Sequence, residues 1–389
     1  MNRKEKMKKN ETSLETTLVH SGIFPDKYNG MINPPVHRAS TIIFNSIEDM
    51  KNAKFIYGRS GTPTSKEFED AMTASMPGAF ASVSTCSGLS AINVILLGIT
   101  KPGDHILVMD NVYGHTKTVC EGVLKKTGVE FEYYPPMIGG DIKNLIKDNT
   151  VAIFLEAPGS LTFEICDIGA IVNAAKSRNI KTIIDNTWAT PVFFNPFEHG
   201  FDISVISASK YIAGHSDAML GVITATEETY PLIKDMAMRL GICAGTEELY
   251  LGLRGLRTLS ARLKEHEAKA MELAQWLEKR PEVKTLLHPA FASCKGNSNW
   301  QKYFKGSSGT FGIILKETDE KKIAKMVESF KLFHLGLSWG GFESLCAISQ
   351  PVRNGTETIE EGFYLRLHVG FEYIEDMKQD LEEGFKNLK

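Results

Sequence analysis

The chain lacks the features of a protein that binds nucleic acid or inserts into a membrane. Its only dense basic segment is the first nine residues, and 44 Lys and Arg nearly balance 47 Asp and Glu for a net charge of -3. No apolar run approaches the ~18 residues that a membrane-spanning helix needs. The N-terminal "MNRKEKMKKN" leads into polar residues, which argues against a secretory signal. A small-molecule substrate and a cytoplasmic location are therefore expected, with no nucleic-acid or membrane partner.

Cysteines are few and scattered. The six cysteines form no C-x-x-C pair, and no His/Cys cluster has the spacing of metal ligands. This pattern predicts free thiols in a reducing compartment and no metal site.

The order of apolar and polar segments predicts an N-terminal arm, a large α/β domain and a smaller α+β domain. Residues 1–60 are polar, with one helical stretch, "SIEDMKNAKF". In residues 61–255, helical segments such as "AIVNAAKSRN" alternate with short apolar runs. These runs are "HILVMD", "VAIFLEA", "KTIIDN", "DISVIS" and "GVITAT". Such alternation is typical of a mostly parallel sheet with crossover helices.

A long helical stretch begins at Thr246, which is expected to cap it, and Gly252 and Gly255 are candidate breaks. The boundary between the two domains is predicted near residue 256. In the smaller domain, residues 256–389, the runs "TFGIILKE" and "YLRLHVGFE" predict strands, and "KKIAKMVESF" predicts a helix.

Polar residues at predicted strand ends are the first candidates for a site, because ligands of open α/β sheets bind at the carboxyl ends of the strands. Asp185 ends "KTIIDN", and Tyr113 follows "HILVMD". The segment "CSGLSAI" opens a helix whose first N–H groups, near Gly88 and Leu89, could hold a phosphate. Each also has a plain interpretation, as an Asx turn, a packed ring or an ordinary helix start.

Lys210, in "SVISASKYIAGHSDAMLG", follows a predicted strand and is flanked by Ser207 and Ser209. Hydroxyls beside a lysine suit pyridoxal phosphate (PLP), because the lysine can form a Schiff base while the hydroxyls hold the phosphate. Partial burial and nearby cations would lower the pKa of the amine and keep it deprotonated once it is freed.

Lys210 has two other interpretations. The segment "SASK" fits the S-x-x-K signature of serine acyl transfer, and "KTG" occurs at 126–128. In that class, however, the Ser-Lys pair opens a helix and precedes K-T-G, which is the reverse of the order here, and no S-D-N is present. The second alternative is an ordinary surface lysine.

Nine ordered segments, from about residue 35 to 375, resemble the Cys/Met-metabolism PLP-dependent enzymes of fold type I. These segments are "YGRSGTPTSKEFEDAM", "CSGLSAI", "VYGHT", "EAPGSLTFEICDI", "IIDNTWATP", "SVISASKYIAGHSDAMLG", "LRGLRTL", "SWGGFESL" and "LRLHVGFE". The resemblance implies an aspartate-aminotransferase-like large domain with a mostly parallel sheet, a smaller α+β domain and PLP as cofactor.

The resemblance also implies roles for individual residues. Lys210 would be the Schiff-base lysine, Asp185 would pair with the pyridine nitrogen, and Tyr113 would stack on the ring and handle protons. Arg366 would grip the substrate carboxylate through its planar fork. The phosphate would be bound by Gly88, Leu89, Ser207 and Ser209.

The same resemblance implies an assembly. Tyr57 and Arg59 match a Y-x-R pair that reaches the cofactor phosphate, and Tyr57 also the substrate, in a neighbouring subunit's site. A homo-oligomer with shared active sites is therefore expected, in this family usually a tetramer built from dimers.

Two segments point to the reaction. "EAPGSLTFE" replaces the E-x-P-x-N-P of γ-acting relatives, and "SWGGFESL" places Ser338 and Trp339 at the expected substrate wall. Both resemble the bacterial cystathionine β-lyase branch, so cleavage of L-cystathionine in methionine biosynthesis is expected. The alternatives are a broader cysteine-S-conjugate β-lyase or cysteine desulfhydrase, a γ-acting relative, and a PLP-binding regulatory protein without turnover.

Overall fold

Two β-sheets organise the chain. The structure is a computed structural model that describes residues 12–354 and 357–389. The first sheet consists of β1 Ala81–Thr85, β2 His105–Met109, β3 Glu130–Tyr134, β4 Thr150–Glu156, β5 Lys181–Asp185, β6 Ile203–Ile206 and β7 Gly221–Ala225. The second consists of β8 Val283–Leu287, β9 Thr310–Leu315, β10 His334–Leu335, β11 Leu345–Ser349 and β12 Tyr364–His368.

Helices cover both sheets. The α-helices are α1 Leu14–Val19, α2 Ile47–Asn52, α3 Pro63–Ala74, α4 Gly88–Ile99, α5 Gly114–Val119, α6 Ile168–Lys176, α7 Thr190–Phe193, α8 Tyr230–Arg239, α9 Thr246–Leu256, α10 Leu259–Leu277, α11 Asn297–Tyr303, α12 Glu320–Glu328 and α13 Ile374–Phe385. Short 3-10 segments are Pro25–Lys27, Gly58–Ser60, Gly139–Asn144, Pro196–His199 and Lys386–Leu388, and Cys120–Leu124 is a π-helical turn. Within the described residues, none of the helices is long and apolar enough to cross a bilayer.

The large sheet confirms the predicted, mostly parallel topology. Its order is β1-β7-β6-β5-β4-β2-β3, and β6, β5, β4, β2 and β3 run parallel. All five predicted apolar runs are strands. The sequence patterns missed β1 and β3, because "ASVST" and "EFEYY" carry too few aliphatic residues to stand out.

β7 departs from the parallel pattern, since it is antiparallel to both β1 and β6. A parallel return would need a crossover connection, usually a helix, whereas residues 207–220 contain no regular element. This connection therefore leaves β6 and enters β7 at the same edge of the sheet. Lys210 lies in it and is held at the carboxyl edge of the parallel strands.

The two sheets have separate apolar cores that meet along α10. Leu259 and Leu263 of this helix pack into the core of the large sheet, whereas Ala270 and Leu273 pack into that of the small sheet. The small sheet has the order β10-β11-β12-β9-β8, and α12 and α13 contribute to its core. The arm is not independent, because Leu18 is buried in the large core. The domain limits at 60 and 256 stay predictions.

Of two local expectations for the helices after Gly245, the cap was wrong and the break into two helices is confirmed at a slightly later position. The N-cap of α9 is Gly245, with Thr246 as the first helical residue, and no side chain caps this end. Gly252 and Gly255 lie inside α9, and the break falls just after them, at Arg257 and Thr258 between α9 and α10. Gly255 instead permits close packing, because an added Cβ would lie 2.2 Å from Ile212 O and 2.5 Å from Ala213 O. Helix α9 thus rests directly on the backbone that follows Lys210.

We expect Gly255→Ala to destabilise the protein by about 1–3 kcal/mol, because its methyl group would overlap backbone atoms that cannot rotate away. Gly122→Ala is the matched control, since no atom lies within 4 Å of an added Cβ there. This control should be neutral or slightly stabilising. Denaturant unfolding of the three proteins measures the difference, and equal midpoints for both variants would contradict the packing argument.

Candidate functional site

The carboxyl edge of the large sheet gathers several polar side chains. Glu156 ends β4 and Asp185 ends β5, and these two residues are direct partners in the strand register. Ser207 and Lys210 follow β6 at the same edge, and Tyr113 follows β2. The strand-end search therefore found residues that the structure brings together.

Lys210 lies half-buried at the centre of this group. Its Nζ donates to Ser207 Oγ at 3.3 Å and lies 5.0 Å from the centre of the Trp339 ring. Burial lowers the pKa of the Lys210 amine, and Arg366 lowers it further. The carboxyls of Asp185 and Glu156 act in the opposite direction and raise this pKa. Neighbouring groups therefore act on the pKa of this amine in both directions, which suits a group that must both gain and lose a proton.

Asp185 forms a turn and also faces the site. Its Oδ1 accepts hydrogen bonds from Thr187 N at 3.0 Å and from Thr187 Oγ1 at 2.5 Å. Thr187 Oγ1 in turn accepts from Ser207 N at 2.9 Å, so the carboxyl is tied to the lysine loop, residues 207–220, which connects β6 to β7. Burial raises the pKa of Asp185, and the two Thr187 bonds and Lys210 lower it. Both the Asx-turn interpretation and a place beside Lys210 are therefore correct.

Glu156 is a residue of the site that the sequence interpretation missed. Its Oε2 accepts a hydrogen bond from Tyr113 N at 2.6 Å. Loss of hydration raises the pKa of Glu156, and the neighbouring Asp185 raises it further. A signal was present in the sequence, because Glu156 ends the apolar run "VAIFLE" as Asp185 ends "KTIID".

Tyr113 lies at the start of α5 with its ring partly exposed. The ring packs edge-on against His115, with 5.1 Å between ring centres. Burial raises the pKa of the Tyr113 hydroxyl, with further contributions from Glu156 and Asp185, whereas Arg366 lowers it. Glu156 fixes the backbone of Tyr113, so the ring is presented to the site from an anchored position.

A cradle for an anion lies where α4 begins beside Ser207. Ser87 caps this helix by accepting from Ser90 N, while Gly88 N and Leu89 N have no hydrogen-bond partner among the described residues. An added Cβ on Gly88 would lie 2.7 Å from Ser207 Cβ, so only glycine allows the helix to approach this closely. Two free N–H groups and a hydroxyl therefore converge, as phosphate binding requires.

Ser209 is less available than predicted. Its Oγ accepts from Leu220 N at 2.7 Å and donates to Leu220 O at 3.2 Å. The hydroxyl hydrogen is thus already used to close the base of the lysine loop. Donation to a phosphate would require this hydroxyl to rotate, and the phosphate role of Ser209 stays a prediction.

Arg366, on β12, holds the loop that carries Ser338 and Trp339. Its Nη2 donates to Gly336 O at 2.9 Å and to Ser338 O at 3.0 Å. Its Nε is buried without a partner among the described residues. A buried unpaired guanidinium nitrogen is costly, and a ligand carboxylate would satisfy it.

Tyr57 and Arg59 lie apart from Lys210. They line a separate cavity of about 410 Å³, together with residues of α3, β1, α8 and the segment before α9. Arg59 Nη1 donates to Met238 O at 3.5 Å, and its guanidinium lies 5.6 Å from the Tyr57 ring centre. Within one chain, these two residues do not contribute to the Lys210 site.

The acyl-transfer alternative finds no support in the structure. Ser207 and Lys210 lie in a turn that follows a strand, where the S-x-x-K class requires the start of a helix. The K-T-G segment at 126–128 closes a helical turn and is not a strand.

The residues present fit PLP. The cofactor needs an amine, donors for a phosphate and a carboxylate for its ring nitrogen, and Lys210, the start of α4 and Asp185 supply these groups at one sheet edge. The orphaned Nε of Arg366 adds a position for a substrate carboxylate.

Comparison with known proteins gives consistent matches. Residues 15–386 match the family described as Cys/Met metabolism PLP-dependent enzyme. The chain is 39% identical to a cystathionine β-lyase of Haemophilus influenzae, over 96% of this chain and 98% of that protein. It is 35% identical to the cystathionine β-lyase of Escherichia coli, over 97% of this chain and 99% of that protein. A crystal structure of cystathionine γ-lyase from Lactobacillus plantarum, in complex with L-serine, superposes with a TM-score of 0.89 at 29% identity, over 97% and 99% of the two chains.

In the pH range where Glu156 is ionised, we expect Glu156→Gln to lower the pKa of Lys210, because it removes a negative charge that stabilises the ammonium form while keeping an oxygen to accept from Tyr113 N. The pH dependence of Lys210 acylation in the cofactor-free protein, followed by peptide mass spectrometry, measures this pKa. The midpoint should move to lower pH.

Two matched variants check the sign. Arg366→Met removes a positive charge and should move the midpoint to higher pH. Glu121→Gln alters an exposed carboxylate that accepts from Tyr133 and should leave the midpoint where it is. An unchanged midpoint in both Glu156→Gln and Arg366→Met would contradict the electrostatic description of the site.

Proposed function

This chain belongs to the Cys/Met metabolism PLP-dependent enzymes, and we propose that it cleaves L-cystathionine between Cβ and sulfur to give homocysteine, pyruvate and ammonia. The family, the fold and the PLP cofactor predicted from the sequence are confirmed, and the enzyme is a carbon–sulfur lyase. The observation that carries the choice of substrate is the position of Trp339, whose ring forms a wall beside the Lys210 amine. The named β-lyases among the relatives support the same choice.

In our proposal, each residue of the site binds one part of the cofactor or substrate. When bound, PLP supplies an electron-accepting ring that stabilises the negative charge left at Cα after loss of a proton. Gly88 N, Leu89 N and Ser207 would bind its phosphate, and Asp185 would hold the proton on its ring nitrogen. Lys210 would attach the cofactor through Nζ.

Arg366 and Lys210 would then control the proton at Cα. Arg366 would bind the substrate carboxylate through its unpaired nitrogens and so fix the direction of the Cα–H bond. Lys210 Nζ would accept that proton, and its lowered pKa favours the neutral amine that this step needs. Lys210 or Tyr113 would afterwards donate a proton to the departing sulfur.

The position of the sulfur explains why this set of groups suffices for β-cleavage. Removal of the Cα proton leaves an electron pair next to Cβ, so a sulfur on Cβ can leave directly with its bonding electrons. A leaving group on Cγ would require a second proton to be removed from Cβ. One base at Lys210 therefore serves the β reaction.

The alternative function is a broader cysteine-S-conjugate β-lyase or cysteine desulfhydrase. Shorter cysteine derivatives present the same carboxylate to Arg366 and the same Cα proton to Lys210. A γ-acting enzyme is a further alternative, because the fold is shared with a γ-lyase and does not by itself separate the two reactions. The wall at Trp339 and the segment "EAPGSLTFE" favour β-cleavage.

We also propose that the active site is shared between subunits of a homotetramer in the cytoplasm, where the enzyme serves methionine biosynthesis. Tyr57 and Arg59 line a cavity away from Lys210 in their own chain, which supports a role toward a neighbouring site. Exposed apolar side chains nearby support a buried interface there, among them Ile43, which is 89% exposed, and Ile47, which is 71% exposed. The six free thiols suit a reducing compartment.

Incubation of the purified enzyme with L-cystathionine and PLP tests the proposed function. We expect pyruvate and homocysteine in equal amounts. Lys210→Ala should reduce the rate by about 10²–10⁴-fold or more, because it removes the base, whereas Lys147→Ala at the surface should not. Formation of 2-oxobutyrate and cysteine would contradict β-cleavage.

Co-expression of two inactive variants tests the shared site. Lys210→Ala keeps an intact Arg59, and Arg59→Ala keeps an intact Lys210, so a mixed dimer would hold one complete site. Random pairing should restore roughly a quarter of the wild-type activity. Co-expression of Lys210→Ala with Asp185→Asn is the control, because these residues serve the same site and pairing yields no complete one. No recovery in the first mixture would contradict the assembly.

A further inference from the structure

A chain of buried hydrogen bonds connects the residue after Lys210 to the loop that carries Trp339. Tyr211 OH lies 3.0 Å from Thr310 Oγ1, which lies 3.1 Å from His368 Nδ1. His368 Nε2 lies 3.0 Å from Gly341 O. Tyr211, Thr310 and His368 are each 1% exposed or less, so water does not compete for these bonds.

The chemistry of the two ends fixes the direction of every bond in this chain. Gly341 O can only accept, so His368 carries its proton on Nε2. Burial lowers the pKa of His368 to about 4, which keeps the ring neutral and leaves Nδ1 as an acceptor. Thr310 Oγ1 must therefore donate to His368 Nδ1, and Tyr211 OH donates to Thr310 Oγ1. Thr310 thus acts as both donor and acceptor, a role that only a hydroxyl can fill in this position.

The loop 336–341 is held from one strand at two points. Arg366 and His368 lie two residues apart on β12, so their side chains point to the same face of the small sheet. Arg366 Nη2 binds the first half of the loop, at Gly336 O and Ser338 O, and His368 binds its end, at Gly341 O. Trp339 lies between the two attachments.

The loop 336–341 also packs directly against Lys210. Gly340 has φ of +88°, and an added Cβ would lie 2.8 Å from Tyr211 N and 2.9 Å from Lys210 Cβ. The Trp339 ring packs on the ring of Tyr211 with 5.4 Å between centres. A shift of Tyr211 or His368 would therefore move the wall that faces the Lys210 amine.

We propose that Tyr211, Thr310 and His368 are positioning residues that hold Trp339 against Lys210 and so set which sulfur side chains are cleaved. This inference rests on the proposed function, because Trp339 is a substrate wall only if the substrate binds beside Lys210. None of the three residues needs to touch the reacting atoms.

Thr310→Val and Thr310→Ser separate the hydroxyl from the shape of the side chain. Valine keeps the branched shape but breaks both bonds, while serine keeps the hydroxyl. We expect Thr310→Val to reduce kcat/KM for L-cystathionine by about tenfold to a hundredfold, and to reduce that for L-cysteine less, so that the ratio between the substrates changes. Thr310→Ser should restore the wild-type ratio.

The fluorescence of Trp339 gives a second measurement that does not depend on turnover. Acrylamide quenching of the full chain, with and without PLP, is compared with that of Trp339→Phe in the same background to isolate this residue. Thr310→Val should make Trp339 more accessible to the quencher. Thr182→Val is the matched control, since Thr182 is a buried threonine that donates to Asp202 and belongs to β5, away from the loop. It should change neither the quenching nor the substrate ratio.

Three results would overturn the inference: unchanged quenching and substrate ratio in Thr310→Val, equal behaviour of the valine and serine variants, or the same changes in Thr182→Val. If the wild-type enzyme leaves L-cystathionine intact, the proposed function fails, while the fluorescence still decides whether this chain of bonds holds Trp339.

Discussion

The partial burial of the Lys210 amine is the constraint on which the rest of the site depends. Loss of hydration disfavours the ammonium form, and two carboxyls at the ends of neighbouring strands favour it. Carboxyls alone would keep the proton on Lys210 and prevent it from acting as a base. Burial is the largest influence and lowers the pKa of Lys210 despite them, and Arg366 of the small sheet adds to this lowering.

The lysine loop is held in this environment by close backbone approaches from three sides. Gly88 brings the start of α4 against Ser207, Gly255 brings α9 against Ile212 O, and Gly340 brings the loop of the small domain against Lys210. A side chain at any of these three positions would separate the loop from one of its neighbours. Because the antiparallel β7 returns the chain to the same sheet edge, the loop is anchored at both ends as well. Such preorganisation places a base without reorganisation during the reaction.

The sequence predicted the parts of this arrangement that depend on local pattern. Apolar runs revealed the central strands, and polar residues after them revealed Asp185 and Lys210. Glu156 carried the same signal but looked like part of a loop motif. The contact of Gly255 with Ile212 joins distant parts of the chain. The bond from Tyr211 to Thr310 joins residues 99 positions apart, and the bond from Thr310 to His368 joins residues 58 positions apart. No local pattern could indicate these contacts. The arm with Tyr57 and Arg59 was interpretable only through the family resemblance, because a single chain gives these residues no contact with the site.

In the proposed function, recognition of the substrate carboxylate and selection of its side chain are coupled through Arg366. Arg366 uses Nη2 to hold Gly336 O and Ser338 O, and its buried Nε remains for a ligand. In the proposed function, the same guanidinium would orient the substrate, and it fixes one end of the loop 336–341. His368, two residues later on the same strand, fixes the other end. If the loop 336–341 moved to admit another substrate, the Arg366 guanidinium bonded to it would move as well. The direction of the substrate Cα–H bond would then change. In the proposed function, the side chains of the loop can therefore change the choice of leaving group with less disturbance than its backbone, because the backbone is bonded to Arg366.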